Sequence, residues 1–300
     1  MSDPSPLISV ILPAFNSAPY LAPAIESILT QTMGNFELLI VYDESSDNTL
    51  DIIKSYAQKD QRVQYLMGQK ARLVGALNQG IVAAKGQFIA RMDADDISLP
   101  TRFAEQLNLM QSKQLDFCGC NIVMINAAGV PLRDIVMPAT PDLIAITLAC
   151  TVPFAHGSVM MRKAFLDEHT LLYQKGASAE DYDFWCESYR LGAQIGNVDQ
   201  FLFHYRHFPQ SLSKVHAKVV KHNTQVLRRN FVLKNMQAVQ AAISHLLPIQ
   251  KKLSVRDEGF LILAAYLVWQ KTKSHQLFEV LKAARLKNIA IALAKIVRGF

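Results

Sequence analysis

The chain has 300 residues, half of them hydrophobic and 19% charged, which bounds it to one large folded domain or two modest ones with ample core. Its four cysteines, Cys118, Cys120, Cys150 and Cys186, form no Cys-x-x-Cys pair and no zinc-ligand spacing, which argues against a disulfide scaffold or structural zinc and for reduced, buried thiols. The net charge of +6 is uneven: residues 1–200 hold 14 Lys and Arg against 22 Asp and Glu, and residues 201–300 hold 17 against 3.

Met1 to Pro6 lacks the basic start and apolar core of a signal peptide, so a cytoplasmic location is expected. Leu7 to Leu12 is an apolar run of strand length, closed by Pro13-Ala14-Phe15-Asn16. Tyr20 to Thr30 then carries Leu21, Ala24, Ile25, Ile28 and Leu29 at helical spacing. Phe36 to Val41 reads as a second strand, and Asp47 can cap the helix that carries Leu50, Ile52, Ile53 and Tyr56. Val63 to Met67, Leu73 to Ala84 and Gln87 to Met92 follow as strand, helix and strand. This alternation predicts an α/β domain with a mostly parallel sheet and helices on both faces. Ligands bind such sheets outside the carboxyl ends of the strands, where Pro13, Asp43 and Asp93 all fall.

Directly behind the fourth strand stands Arg91-Met92-Asp93-Ala94-Asp95-Asp96. Carboxylates so crowded repel one another unless a cation or a positively charged partner sits among them. An Asp-x-Asp step here offers oxygen ligands of the kind that Mg²⁺ or Mn²⁺ shares with a substrate's phosphates. Asp-rich turns also cap helices, and Ile97-Ser98-Leu99-Pro100 opens one, so the tripeptide alone leaves both readings open.

The ordered set of further segments carries a resemblance. Pro13-Ala14-Phe15-Asn16, Asp43-Glu44-Ser45-Ser46-Asp47, Leu77-Asn78-Gln79-Gly80-Ile81, Ala84-Lys85-Gly86-Gln87-Phe88-Ile89 and Asp93-Ala94-Asp95-Asp96 come first. His156-Gly157-Ser158-Val159-Met160-Met161-Arg162, Glu180-Asp181-Tyr182-Asp183-Phe184-Trp185 and Tyr205-Arg206-His207 follow in the same order. Over roughly residues 6 to 215 the chain resembles the family 2 glycosyltransferases of GT-A fold, especially those that build bacterial surface polysaccharides and lipopolysaccharides. It departs from them at Tyr42, where an acidic residue is common, and at Phe15, where tyrosine is common; both bear on how the base is recognised.

The resemblance implies an inverting, metal-dependent transfer of a sugar from a nucleotide diphosphate donor, a UDP-sugar for preference, to a saccharide or lipid-linked saccharide acceptor. Pro13, Ala14, Phe15, Asp43, Asn78, Asp93, Ala94 and Arg206 are then expected at the donor, with Asp43 accepting from a base imide and Arg206 gripping a phosphate in two-pronged fashion. Asp95, with Asp93, is expected to hold Mn²⁺ or Mg²⁺, while Asp96 is equally a supporting residue or a helix cap. Asp181 matches the catalytic base, although from position and residue type alone the Glu180-Asp181 pair is better explained as a helix cap. His156, Glu180 and Trp185 are expected at the acceptor. His204, His207 and His216 offer further nitrogen ligands, none of them fixed by spacing.

The expected organisation is a catalytic domain over 1–215, with a nucleotide-sugar half over 1–97 and an acceptor half over 98–215, then a basic helical region over 216–300. The run Phe260 to Trp269 is too short to span a bilayer, which takes about 20 residues. Leu281 to Phe300 mixes lysines and arginines with apolar residues as a membrane-surface helix would, and packing on the catalytic domain or in a homodimer is the competing explanation. Nucleic acid is not expected as a partner. A dinucleotide-dependent oxidoreductase would need Gly-x-Gly-x-x-Gly after the first strand, which is absent, and a sugar-nucleotide pyrophosphorylase a Gly-rich basic loop there. A catalytically silent, membrane-associated scaffold is opposed by the retention of Asp93, Asp95 and Asp181.

Overall fold

The computed structural model describes residues 5–68, 72–174, 179–208, 217–285 and 288–292. It divides into two compact units. The first comprises 1–137, 154–180 and 193–211, and the second 138–153, 181–192 and 212–300. The boundary thus differs from a single cut at 215: the C-terminal helices share their unit with two earlier segments of the chain.

The first unit begins with β1 (Ile8–Ala14), α1 (Ala18–Leu29), β2 (Phe36–Tyr42), α2 (Thr49–Lys59), β3 (Val63–Met67), α3 (Arg72–Ala83) and β4 (Phe88–Arg91). It continues with β5 (Ile97–Ser98), α4 (Arg102–Ser112), β6 (Phe117–Ile125), β7 (Pro131–Ile135), β8 (Met160–Arg162), α6 (Lys163–Glu168) and β9 (Ile195–Arg206). The strands form one sheet in the order β3-β2-β1-β4-β8-β6-β9-β5, with β7 beside β6. The neighbours β3, β2, β1 and β4 are parallel, as the alternation of strand and helix requires. Beyond β4 the sheet is mixed, because β8 runs antiparallel to both β4 and β6 while β9 runs parallel to β6.

Sheets covered on both faces have strands that are apolar throughout, and β1 and β2 are buried along nearly their whole length. Val10, Leu12 and Ala14 share a core with Leu21, Ile25 and Ile28 of α1. On the other face a Cβ at Gly80 of α3 would lie 2.5 Å from Ile11 Cγ2, so glycine there is what lets the helix sit so close to the sheet. Asp47 fixes how β1 and β2 end: one oxygen accepts from the Ala18 N–H at 3.0 Å and the other from the Thr49 N–H at 3.1 Å.

The second unit holds α5 (Pro141–Leu148), α7 (Glu180–Arg190, from Asp181 on), α8 (Ala217–Lys234), α9 (Met236–Leu246), α10 (Val255–Thr272) and α11 (Gln276–Ala283). Phe260 to Ala265, Leu267 and Val268 are all buried, so the long apolar run is the core of this unit. No helix among the described residues is long and apolar enough to cross a membrane. The end of the expected membrane-surface helix, including Lys295, Ile296 and Arg298, lies outside the described residues, as does His216.

Candidate functional site

The carboxyl ends of β1, β2 and β4 come together through main-chain bonds. The Asp43 N–H donates to the Ala14 carbonyl at 2.9 Å, and the Met92 N–H to that of Ile11 at 3.0 Å. Asn16, in a left-handed conformation, accepts from the Ser46 N–H at 2.8 Å and donates its own N–H to Ser45 Oγ at 3.0 Å. Phe15 is left 62% exposed beside this turn. Tyr42, the residue that departs from the family's acidic position, accepts from the Ser45 N–H at its hydroxyl. Asp43 Oδ1 packs over Gly68, where a Cβ would stand 2.2 Å away, so any larger residue at 68 would displace that carboxylate.

The loop after β4 concentrates the charge. Arg91 is buried and its guanidinium pairs with Asp93. Burial alone would lower the pKa of Arg91, but Asp93, with Tyr173 and Asp96, outweighs it and raises it. Asp96 is buried; its Oδ1 accepts from the Arg206 N–H at 2.6 Å, and its Oδ2 has no hydrogen-bond partner among the described residues. Burial, then the charges of Asp93 and Asp95, push its pKa well above the usual carboxylate range. Asp95 is raised to about 6 by burial first and by Asp93 second. Tyr205 rises to about 12, by burial and then by the same three carboxylates.

Gly157 packs directly against the acidic loop. A Cβ on it would lie 2.9 Å from Asp93 Oδ2 and from Phe203 Cζ and 3.0 Å from Asp96 Oδ2, so only glycine lets these two carboxylates and the ring come so close to the backbone. Arg102, fully buried, braces the loop: it donates to the Arg91 carbonyl at 2.8 Å and to the Gly157 carbonyl at 3.4 Å. Burial lowers its pKa to about 10.

An unpartnered buried oxygen beside two further carboxylates is a donor set suited to a hard divalent cation. Among the described residues no three His, Cys, Asp or Glu side chains converge at metal-ligand spacing. One or two protein carboxylates are what Mg²⁺-type sites provide when substrate phosphates and water complete the shell, so the residues present fit such an ion.

Arg206 has other partners than the two-pronged phosphate grip expected of it. Its Nε donates to the Asp95 carbonyl at 2.7 Å and its Nη1 to the carbonyls of Asn126 and Ala127 at 3.0 and 2.8 Å, with the Tyr20 ring against it. It therefore clamps the acidic loop from below. Asn78 likewise spends its amide on Tyr173, exchanging two 2.9 Å bonds with that residue's main chain. Tyr173 in turn shares a 2.8 Å hydrogen bond with His156 Nε2. Burial first, and Arg91 second, hold the His156 pKa well below its usual value, which keeps the ring neutral. Arg91, Gly157, Tyr173 and Tyr205 were not singled out as site residues from sequence. Arg91, Gly157 and Tyr205 stand inside segments read from the sequence, but nothing local marks a buried arginine, a crowded glycine or a tyrosine with a raised pKa.

His204 of β9 is half-buried and pairs with Ile97 of β5, its pKa lowered by burial and by Arg206. Glu180 opens α7 in the first unit, and Asp181 belongs to the second. Asp181 Oδ1 accepts from the Tyr182 N–H at 2.7 Å. Trp185 corrects an expectation: it is fully buried with its ring edge-on to Phe184, so it is a packing residue and offers no face to an acceptor.

The sequence matches the family model described as glycosyl transferase family 2 over residues 9–170. The O-antigen biosynthesis glycosyltransferase WbnJ of Escherichia coli is 32% identical over 213 residues, covering 69% of this chain and 82% of that one. Staphylococcus aureus TarS in complex with UDP-GlcNAc superposes with a TM-score of 0.64 at 19% identity, covering 97% of this chain and 92% of that chain. The mannosyltransferase PcManGT from Pyrobaculum calidifontis, in complex with GDP-Man and Mn²⁺, gives 0.59 at 15% identity, covering 95% and 87%.

Proposed function

The chain belongs to glycosyl transferase family 2 and has the GT-A fold, and from that membership we propose that it transfers a sugar, with inversion, from a nucleoside diphosphate donor to an acceptor hydroxyl. The setting is assembly of a cell-surface polysaccharide or lipopolysaccharide, the kind of product named for WbnJ. The acceptor is a saccharide, free or lipid-linked, met on the cytoplasmic side.

The observation that carries the reading is the crowded loop after β4, where a buried oxygen of Asp96, beside Asp93 and Asp95, lacks a hydrogen-bond partner among the described residues. Asp95 and Asp93 would hold Mn²⁺ or Mg²⁺ there, and its charge would offset that gathering on the departing diphosphate. Asp43 accepts from the base, UDP being the preferred donor because a uracil imide N–H suits a carboxylate. Pro13, Ala14, Phe15 and Ala94 border the nucleotide. Asn78 and Arg206 serve the donor indirectly, one by tethering Tyr173 and the other by bracing the acidic loop.

Asp181 takes the proton from the acceptor hydroxyl as its oxygen attacks the anomeric carbon. One displacement inverts that carbon, so a single base suffices. Glu180 and neutral His156 orient the acceptor. Thermal shift against a panel of sugar nucleotides, with and without Mn²⁺, tests the reading: one donor class should raise the melting temperature, more so with Mn²⁺. Stabilisation by none of them, in either buffer, contradicts it.

A further inference from the structure

The basic character of the second unit has a focus that the acidic crevice does not explain. No Asp or Glu occurs between Asp199 and Asp257, whereas this stretch carries ten lysines and arginines. Within it, the short 3-10 turn Leu247–Lys252 joins α9 to α10. Along that turn and the first residue of α10, Pro248, Ile249, Lys251, Lys252 and Val255 all face solvent. Ile249 is 44% exposed and Val255 50%, so apolar and cationic side chains alternate over one short surface.

The turn is held from three sides. The Gln250 side chain is buried and donates to the Val280 carbonyl at 3.0 Å and to Glu258 Oε1 at 3.2 Å. Arg285 Nη2 donates to the Leu253 carbonyl at 2.8 Å. Ser254 caps α10 by accepting from the Asp257 N–H at 3.1 Å and donates to that residue's carboxylate at 2.7 Å. Glu258, the other nearby acid, is fully buried under Arg285 and Asn288. Lys251 and Lys252 therefore have no ion-pair partner among the described residues and stand on a backbone already fixed in place.

We propose that the Leu247–Val255 turn is a docking surface for an anionic lipid bilayer, with Lys251 and Lys252 among the headgroups and Ile249 and Val255 entering the interface. Lysines beside unpaired apolar side chains are what a headgroup layer recognises. A nucleic-acid surface would instead interleave its cations with aromatic or amide groups that stack on or read the bases, and this turn has no aromatic side chain. The proposal is independent of the transfer reaction, because no residue in it belongs to the site described above.

Flotation of the full chain with vesicles of phosphatidylglycerol and phosphatidylcholine tests it, alongside vesicles of phosphatidylcholine alone. Wild type should float with the anionic vesicles at low salt and lose them as salt rises. The double variant Lys251→Glu, Lys252→Glu should bind them at least ~10-fold more weakly, and Ile249→Ser, Val255→Ser should weaken binding with less salt dependence. Melting temperature and sugar-nucleotide hydrolysis should not change in either variant. Unchanged flotation of both variants overturns the proposal. It is also overturned if the lysine variant alters the sedimentation of the protein alone, which makes the turn an interface between copies, or if it lowers affinity for duplex DNA while flotation stays the same.

Discussion

The chain buries carboxylates in two ways, and the contrast shows which of them is structural. In the second unit Glu258 is fully buried, yet it receives Arg285 Nε at 2.6 Å together with Asn288 and Gln250. Burial alone would raise its pKa, but these bonds outweigh it and the pKa is lowered. In the first unit Asp95 and Asp96 are raised, by burial and then by each other's neighbours, although Arg91 and Arg206 stand close by. One carboxylate is satisfied by its own chain. The others stay raised, and Asp96 Oδ2 has no hydrogen-bond partner among the described residues, the condition in which a carboxylate suits an outside ligand.

The largest effect should come from Asp181, the proposed base, which lies outside the crowded loop. Asp181→Asn is expected to keep donor affinity and lose transfer by about 10²–10⁴-fold, measured as kcat with saturating donor. A parallel loss of donor affinity would return Asp181 to a capping role, the one its 2.7 Å bond from the Tyr182 N–H already describes.

A smaller effect is expected at the satisfied carboxylate. Arg285→Ala should cost about 1.5–3 kcal/mol in urea unfolding, the usual worth of a hydrogen bond to a charged group. An unchanged midpoint would mean that Asn288 and Gln250 suffice for Glu258. The same pairing changes what a truncation can report: deleting Leu281 to Phe300 removes both Arg285 and Asn288 from a buried Glu258, so loss of the fold would be expected before any loss of membrane binding.

The smallest effect separates the two kinds of carboxylate by pH. Asp95 is raised from 3.8 to about 6 on folding, so the stability it contributes is complete below about 4 and is lost as pH rises through about 6. In buffer free of divalent cations, Asp95→Asn should therefore stabilise the protein at pH 7, on the order of 1 kcal/mol, and the gain should vanish near pH 4. Glu258 has the opposite sign: its contribution is present above the ordinary glutamate range and lost as pH falls through its lowered value. Chemical denaturation of wild type and variant at a series of pH values checks both.

Much of the first unit was legible because burial on both faces forces an unbroken apolar run. Leu7 to Leu12 and Phe36 to Val41 became β1 and β2 in parallel register, and Asp47 accepts from the Thr49 N–H at the start of α2 although the N-cap position itself is Asn48. The mixed half of the sheet was not legible, since β8 is three residues long and its antiparallel pairing depends on partners distant in sequence. At the site, residue type gave the acidic loop, but not which groups their own chain has already engaged. Arg206 and Asn78 look like ligand groups until their bonds to main-chain atoms are seen, and Trp185 looks like an acceptor platform until its burial is. Gly157 was hidden for the converse reason: its part is the close approach it allows to Asp93 and Asp96.

We propose that the crowded carboxylates bind a cation and a diphosphate together. Calorimetric titration of UDP-sugar into wild type and Asp95→Asn, each with and without Mn²⁺, measures it directly. Mn²⁺ should tighten donor binding to wild type by ~10-fold or more and leave the variant's affinity unchanged, while the variant melts no lower than wild type in metal-free buffer. Equal donor affinity with and without Mn²⁺ in wild type, or full Mn²⁺ enhancement in Asp95→Asn, would contradict it.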